Sequence, residues 1–395
     1  MENKEKIWNP LFTMLFIANM CMNLSQQMMN SLVTKYANSL GAAATVLGVV
    51  SSIYALTALI FKILSGPVID TYDKRHVATI TMGIMAVSAL GYGLSTTVPT
   101  LVAFRLLQGV GQAFTSTCCL AIAADSLPKS KYGSGIGIYT MAQAVSQATG
   151  PALSLALVGS LGYRMTFFLS CGIMLVGAFL VFQVKIPFKR TKKLQLKIGS
   201  IIAKPAIMPA VLIFLLSITF FVVNSFLIVY ADTLGIDNIG YYFTVFAGCM
   251  LVTRPMVGKL TDRFGLVKIL IPSMLCFAAS FVIISYSKTL PGFLFAAFVA
   301  SFGYGASVPA IQTLSMKSVT PEQRGAGSST NFVGTDLGSL LGPVLAGWVV
   351  EMAGYSSMWR IMTVPIFMAM LVVLVYRKRI ASIEANFEGR QDIRR

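Results

Sequence analysis

Long apolar runs alternate with short polar segments along the whole chain. Each run has about 20 residues or more, the length that an α-helix needs to cross about 30 Å of hydrocarbon. The alternation of apolar and polar residues that a membrane-spanning β-strand shows is absent, so helices are the spanning element that fits. The twelve predicted spans are residues 10–34, 44–67, 76–96, 99–123, 134–159, 163–185, 207–231, 238–258, 267–287, 290–315, 326–350 and 357–377.

The composition agrees with a chain that lies mostly in a membrane. Of its 395 residues, 56% are hydrophobic and 11% are charged, whereas a soluble protein has roughly 25% charged residues. The first apolar run lacks a small-residue cleavage site, so we expect it to be retained as a helix and not removed as a signal peptide. The expected fold is an all-α membrane protein with twelve transmembrane helices in the cell membrane.

The basic residues fall mainly in every second segment between the spans. With the spans above, 24 of the 31 Lys and Arg residues lie on one side of the membrane, and only Lys35, Arg164, Lys288 and Arg360 lie on the other. Basic residues concentrate on the cytoplasmic side of membrane proteins, which predicts that both termini are cytoplasmic. The same distribution accounts for the net charge of +17, so the expected partner of this charge is the lipid bilayer and not nucleic acid.

The second half of the chain repeats features of the first half at a nearly constant offset. Gly66 and Gly258 are separated by 192 positions, as are Asp70 and Asp262. Further pairs at offsets of 192 or 194 are Asn30 and Asn224, Tyr36 and Tyr230, Lys62 and Arg254, Gly111 and Gly303, and Gly150 and Gly342. Because an even number of spans separates equivalent positions, the repeat predicts two pseudo-symmetric six-helix bundles in parallel orientation.

This repeat sets the predicted domain boundaries. They are an N-terminal bundle at 1–185, a cytoplasmic linker loop at 186–206, a C-terminal bundle at 207–377 and a cytoplasmic tail at 378–395. The linker carries basic residues and no acidic residue, which also suits the anionic inner leaflet. We prefer the interpretation that this loop simply connects the two bundles.

Amide side chains within the apolar spans are candidates for a solute pathway, because polar residues in a membrane are costly and mark such pathways. Along the first span they recur at helical spacing on one face, and one lies at the equivalent place in the seventh span. The candidate substrate-binding residues of this group are Asn19, Asn23, Gln27, Asn30 and Asn224. The alternative is that these amides only form hydrogen bonds between helices.

Asp336 is the only acidic residue near the middle of a predicted span. An ionised Asp there costs about 2.5–3.5 kcal/mol, so its carboxyl group is a candidate for loading and releasing protons. The alternative is a structural pair with Lys62 or Arg254. Both bases lie about one turn from the inner ends of their helices, from which their side chains can also reach the membrane surface.

Several motifs resemble those of the major facilitator superfamily of transporters. Residues 258–268 resemble the signature between the second and third helices of each half, with a glycine, an Asp-Arg pair, a second glycine and basic residues. The stretch from Arg105 to Gly111 is similar to the fourth-helix motif, and Gly150 with Pro151 resembles the core of the fifth-helix antiporter motif. The resemblance covers essentially the whole chain and implies two six-helix bundles that rock about a central site.

The first copy of the charged signature departs from the family pattern. In residues 66–75, Thr71 replaces the usual basic residue and Asp73 replaces the usual glycine. In the fifth helix, Ser146 and Ser154 stand where the antiporter motif usually has glycines. These departures weigh against an exporter, because the fifth-helix motif separates antiporters from other members.

The resemblance also implies roles for the charged residues. The two signature segments would form a cytoplasmic gate whose members are Gly66, Asp70, Arg75, Gly258, Asp262, Arg263 and Gly265. The alternative is a pair of solvated turns that obey the positive-inside rule. Arg105, about six residues inside the outer end of its span, would bind an anionic group of the substrate or help to move protons, with a packing role as its alternative.

These observations predict a secondary active transporter of a small organic solute that works by alternating access. Proton-coupled efflux of drugs or metabolites is the leading hypothesis, and an importer or uniporter without proton coupling, in which Asp336 is structural, is the alternative. The one histidine, His76, has no clustered catalytic partners, and the chain has no P-loop. We therefore expect no enzymatic activity, no cofactor, no metal site and no oligomerisation beyond a monomer.

Overall fold

The structure is a computed structural model that describes residues 8–126, 132–184, 203–320 and 324–392. Within these residues, all regular structure is helical, which confirms the predicted all-α fold for this part of the chain. The helices are α1 (Pro10–Ser39), α2 (Ala44–Thr71), α3 (Lys74–Leu94), α4 (Val98–Asp125), α5 (Tyr132–Gln183), α6 (Ile207–Thr233), α7 (Tyr241–Phe264), α8 (Leu266–Tyr286), α9 (Leu290–Ser318), α10 (Arg324–Ile361), α11 (Val364–Val375) and α12 (Arg377–Asp392). Seven helical stretches in the described residues are long and apolar enough to cross a membrane.

The ends of α1 show how local chemistry sets a helix boundary. The side chain of Asn9 accepts a hydrogen bond from the Phe12 N–H at 2.8 Å, and Pro10 occupies the first turn, where its missing N–H costs nothing. The helix ends at Ser39, beyond the predicted residue 34. It stops where Gly41 adopts a φ of 83°, the left-handed conformation with which glycine commonly follows a helix end.

The helices α5 and α10 are each interrupted by a glycine. Gly162 in α5 and Gly354 in α10 have the same backbone angles, with φ of 77° and ψ of 170°. This conformation is essentially restricted to glycine. The two glycines are 192 positions apart, so the offset seen in the sequence recurs in the backbone.

Large apolar side chains are exposed on the outside of several helices. On α11, Leu371 is 61% exposed and Val375 is 67% exposed, and on α5 Phe179 is 59% exposed. A water-soluble protein rarely leaves such extended apolar surface uncovered. This distribution is the one expected of helices that face lipid.

The chain divides into two compact units. The first comprises Met1–Ala42 and Ile53–Leu196. In it α1 packs against α5, and α3 packs against both α4 and α5. Small polar residues allow close approach of α1 and α5: the Ser25 hydroxyl donates to the Ser170 carbonyl at 2.7 Å, and the Ser170 hydroxyl donates to the Ser25 carbonyl at 3.1 Å.

The second unit comprises Ala43–Ser52 and Lys197–Arg395, and its main contact joins α6 and α10. Glycines at every fourth position of α10 form this contact. A Cβ atom on Gly338 would lie 2.5 Å from the Ser217 Cβ, and one on Gly342 would lie 2.2 Å from the Ile218 carbonyl oxygen. The two helix backbones therefore touch, as in other membrane helix pairs built on small residues.

The first turns of α2 belong to the second unit, so the division between units falls within this helix. A Cβ atom on Gly48 would lie 2.3 Å from the Pro343 carbonyl oxygen, and one on Gly347 would lie 2.4 Å from the Ala44 carbonyl oxygen. The Thr45 hydroxyl also donates a hydrogen bond to the Glu351 carboxylate. The predicted N-terminal bundle at 1–185 includes the whole of α2, and its bounds stay a prediction.

Candidate functional site

A buried arginine forms the centre of a polar cluster in the first unit. Arg105 of α4 is 1% exposed. Its Nη1 donates hydrogen bonds to the Asn30 Oδ1 and to the Gln108 Oε1, both at 2.7 Å. Its Cζ lies 4.6 Å from the centroid of the Tyr54 ring, within the range of a cation–π contact. These residues, together with Tyr92, are called the Arg105 cluster below.

Gln108 leaves one strong donor of the Arg105 cluster unused. Its Oε1 also accepts a hydrogen bond from the Tyr92 hydroxyl at 2.6 Å. Because both Arg105 and Tyr92 donate to this oxygen, the amide has a defined orientation. The Gln108 Nε2 then lies buried with no hydrogen-bond partner in the described part of the chain. Leaving a buried donor unsatisfied costs about 1–3 kcal/mol, so the cluster is suited to receive an oxygen atom of a bound molecule.

The amides of α1 divide into two groups. Asn19 is 4% exposed, and its Nδ2 donates to the Tyr139 carbonyl of α5 at 2.9 Å. Asn23 donates to the Asn19 carbonyl at 2.8 Å. Gln27 packs against α5: a Cβ atom on Gly150 would lie 2.6 Å from the Gln27 Cβ. Of the predicted amides in this helix, Asn30 is the one that bonds to Arg105 of α4, and Asn19 bonds to the backbone of α5.

In the second unit, the region around Asn224 is aromatic. The Asn224 Nδ2 donates to the Phe220 carbonyl one turn earlier in α6 at 3.2 Å. The Phe220 ring stacks on the Tyr304 ring of α9 with centroids 3.9 Å apart and planes at 5°. Phe246 of α7 lies 6.0 Å from Phe220. These three rings, one stacked pair and one tilted neighbour, are called the aromatic cluster below.

Asp336 lies on α10 and its side chain is half-buried. It is two positions from Gly334 and two positions from Gly338, the glycines that touch α6. Because successive residues of a helix are about 100° apart, Asp336 lies on the face of α10 that points away from α6. The Asp336 side chain therefore does not lie in the interface between α10 and α6.

The structure describes unequally the two charged segments, residues 66–75 (the first) and 258–268 (the second). Outside the described residues lie the surroundings of Gly66 and Gly258 and the side chains of Asp70, Asp262 and the nearby Arg254. In the first segment, Asp73 caps α3 by accepting from the Arg75 N–H at 3.0 Å, and its carboxylate lies 3.9 Å from the Arg75 Nε. Beside it, the exposed His76 is 3.0 Å from the Asp73 Oδ2.

In the second segment, Arg263 and Gly265 occupy the junction of α7 and α8. Arg263 is exposed, with its Cζ 5.2 Å from the centroid of the Phe264 ring. Gly265 ends α7 and precedes α8 with a φ of 84° and a ψ of 158°. Only glycine adopts this conformation readily, which accounts for glycine at this place in the signature.

Sequence reasoning missed three members of the Arg105 cluster, Tyr54, Tyr92 and Gln108, and one partner of the second charged segment. Tyr54 and Tyr92 lie in apolar spans, where a single tyrosine is indistinguishable from a packing residue. Glu384 of α12 accepts from the Leu266 N–H at 3.0 Å, although 118 positions separate the two residues. The repeat offers a signal for Tyr54, because Phe246 of the aromatic cluster is 192 positions further on.

Comparison with known proteins agrees with the motifs. The chain matches the family profile described as Major Facilitator Superfamily over residues 15–241 and 210–395. It is 22% identical over 376 residues to the staphylopine export protein of Staphylococcus aureus, covering 91% of this chain and 94% of that protein. It is 25% identical over 331 residues to the multidrug resistance protein MdtG of Enterobacter lignolyticus, covering 79% of this chain and 78% of that protein.

Solved structures share the arrangement of the helices. The crystal structure of the nucleoside transporter NupG aligns with a TM-score of 0.75 over 92% of this chain and 99% of that chain, at 14% sequence identity. A bacterial homologue of the lysosomal transporter Spinster aligns with a TM-score of 0.75 at 15% identity, over 93% of this chain and 96% of that chain. At these identities the likeness concerns the fold alone.

Proposed function

The chain belongs to the Major Facilitator Superfamily, and from this membership we propose that it is a secondary active transporter that moves a small organic solute across the cell membrane by alternating access. It is a multi-pass membrane protein of a transporter family. The Arg105 cluster is the observation that carries the proposal, because a buried, charged and hydrogen-bonded group in a membrane helix is expensive and marks a pathway.

The proposed topology has twelve spans in two six-helix halves, with both termini in the cytoplasm. Two apolar stretches, of 43 and 47 residues, are each about twice the length of a single span. Gly162 and Gly354 interrupt them, which supports two crossings in each stretch. The distribution of Lys and Arg supports the cytoplasmic position of the termini, and we propose that the protein works as a monomer.

The proposed solute carries an oxygen-rich, anionic or hydrogen-bond-accepting group. Arg105 supplies a permanent positive charge, and the Gln108 Nε2 supplies a buried donor that no described residue uses. Asn30 and Tyr54, both half-buried, complete the surroundings of the guanidinium. In this proposal Asn19, Asn23 and Gln27 support the position of α1, while Asn224 lines the pathway in the second half.

Export is the proposed direction, with protons as the coupling ion. The staphylopine export protein and the multidrug resistance protein MdtG, which match most of this chain, support export. Asp336 is the proposed proton carrier, since it lies in a span on a face of α10 that does not pack against α6. The second candidate is an importer or uniporter without proton coupling, for which a nucleoside transporter of the same fold is a precedent.

Two experiments in sequence test this proposal. A growth screen across toxic compounds and metabolites, in a strain that lacks the chain and then regains it, identifies a solute to which the chain gives resistance. Everted membrane vesicles then measure accumulation of that solute with and without an imposed pH gradient. We expect accumulation that requires the gradient and collapses with an uncoupler. Transport that proceeds equally in both conditions would favour the uniporter, and no transport of any resistance-conferring solute would overturn the proposal.

A further inference from the structure

The N-terminus of α8 lacks a capping side chain of its own. The first N–H groups of any helix have no partner within that helix, and a residue with a polar side chain usually accepts a hydrogen bond from one of them. Here the preceding residue is Gly265, which makes no side-chain hydrogen bond. Its positive φ of 84° also excludes the residues that usually cap helices.

A carboxylate from the C-terminal helix takes this place. The Glu384 Oε1 of α12 accepts from the Leu266 N–H at 3.0 Å and lies 4.0 Å from the Lys317 Nζ at the end of α9. The Glu384 and Lys317 side chains are only 16% and 14% exposed. The helix α12 is anchored beside them by Ile380, which is completely buried. The Glu384 carboxylate thus links α12 both to the second charged segment and to the end of α9.

In the first half of the chain, the equivalent helix N-terminus, that of α3, is capped by the residue that immediately precedes the helix. Asp73, 192 positions before Gly265, caps α3 with its own side chain by accepting from the Arg75 N–H at 3.0 Å. Basic groups lie beside this carboxylate too, with the His76 Nδ1 at 3.0 Å. The departure of Asp73 from the family pattern therefore has a structural meaning: each half has one carboxylate at this helix N-terminus, local in the first half and supplied by α12 in the second.

We propose that Glu384 is a positioning residue that holds the second charged segment, residues 258–268, in place, and that α12 is therefore part of the transport machinery at the inner face of the protein. The functional half of this statement rests on the proposed transport function. The structural half, that Glu384 orders the junction of α7 and α8, is independent of any substrate.

Hydrogen–deuterium exchange of the purified, full-length protein tests the structural half. In Glu384→Ala the Leu266 N–H loses its acceptor, and we expect exchange in the peptide that contains residues 262–268 to rise about tenfold, as for the loss of one hydrogen bond to a charged group. Glu384→Gln retains a carbonyl oxygen and should keep most of the protection. Arg379→Ala, an exposed residue of the same helix, is the matched control and should match the wild type.

Three results would overturn the structural half: unchanged exchange in Glu384→Ala, equal rises in Glu384→Ala and Glu384→Gln, or an increase spread over all peptides of the second unit. The last result would mean general destabilisation and not local capping. Because no solute is added, these outcomes do not depend on the transport proposal.

Transport in everted vesicles, with the solute found in the growth screen, tests the functional half. We expect Glu384→Ala to lower the maximal rate about tenfold with an unchanged KM, and Glu384→Gln to recover most of the rate, because the junction is reordered and the solute site is not. A raised KM, or a wild-type rate in Glu384→Ala despite increased exchange, would separate α12 from the transport cycle. If no variant and no wild type transports any solute, the proposed function fails while the capping role stands on the exchange data.

Discussion

At two pairs of equivalent positions, one half of the chain carries a charge and the other half carries alanine. Arg105 in the first half corresponds to Ala297, and Asp336 in the second half corresponds to Ala144, each pair 192 positions apart. A duplicated protein that kept both charges in both halves would contain two similar sites. This one has divided them, with the permanent cation in one half and the titratable acid in the other.

The surroundings of these charges have diverged in the same way. The positions equivalent to Tyr92 and Gln108 are Ile284 and Ala300, both buried and apolar. The second half instead contains the aromatic cluster, with Tyr304 where the first half has Gln112. The repeat therefore conserves the helical frame, as the matching angles of Gly162 and Gly354 show, and not the chemistry that the frame presents.

The largest effect is expected for Arg105→Gln. The substitution removes charge-assisted hydrogen bonds worth about 1.5–3 kcal/mol each, so transport in everted vesicles should fall about tenfold to a hundredfold, since each 1.4 kcal/mol is a factor of ten. The matched control is Arg164→Gln, which changes an exposed arginine of the same unit. Equal rates for Arg105→Gln and the control would remove the Arg105 cluster from the mechanism.

Substitution of Asp336 is expected to give a phenotype different from that of Arg105→Gln. Asp336→Asn cannot release a proton, so we expect solute accumulation to lose its dependence on an imposed pH gradient while exchange of internal for external solute continues. Asp237→Asn, an exposed residue of the same unit, is the control and should keep the gradient dependence. If Asp336→Asn responds to the gradient like the wild type, Asp336 is structural and the division of charges is not a division of function.

The helices themselves follow from the sequence because the physical cause is local. An apolar run of about 20 residues must bury its backbone polar groups in a helix wherever it lies in hydrocarbon. Gly162 and Gly354 mark where the chain leaves the helical conformation, and both lie between the spans predicted on either side of them. The predicted end of the first span, residue 34, falls short of Ser39 because α1 continues through polar residues that hydropathy alone does not assign to a span.

The partners of polar side chains could not be predicted in the same way, because they depend on how helices rotate against each other. Periodicity places Asn19 and Asn30 on one face of α1, yet Asn19 bonds to the Tyr139 carbonyl and Asn30 to Arg105. Glu384 gave no signal at all, since it lies in a charged tail and acts on a helix 118 positions away. Such contacts require the packed structure.

A smaller effect is expected where the first half has a hydroxyl and the second half has none. Tyr92→Phe keeps the ring but removes the donor to the Gln108 Oε1, which should lower the free energy of unfolding by about 0.5–1.5 kcal/mol. Thermal unfolding in detergent measures this change. Tyr139→Phe is the matched control, because the buried Tyr139 hydroxyl has no hydrogen-bond partner among the residues that the structure describes. An equal shift for both variants would mean that the Tyr92 bond adds nothing.

The smallest and most discriminating effect concerns the two charged segments. Their acidic residues, Asp70 and Asp262, are equivalent, but the first segment has Thr71, which is 2% exposed, where the second has the exposed Arg263. Both carboxylates lie in the last turn of their helix, where the helix dipole does not favour a negative charge. A basic neighbour is therefore the source of any gain, and an exposed ion pair of this kind is worth about 0.2–1 kcal/mol. We therefore expect Asp262→Asn to slow transport about twofold to fivefold and Asp70→Asn to slow it less. Initial rates in everted vesicles, normalised to the amount of protein in the membrane, decide between the two. Equal losses would mean that the proposed gate uses both segments alike. A larger loss for Asp70→Asn would reverse the asymmetry, because the first segment, which departs from the family pattern, would then make the more important gate contact.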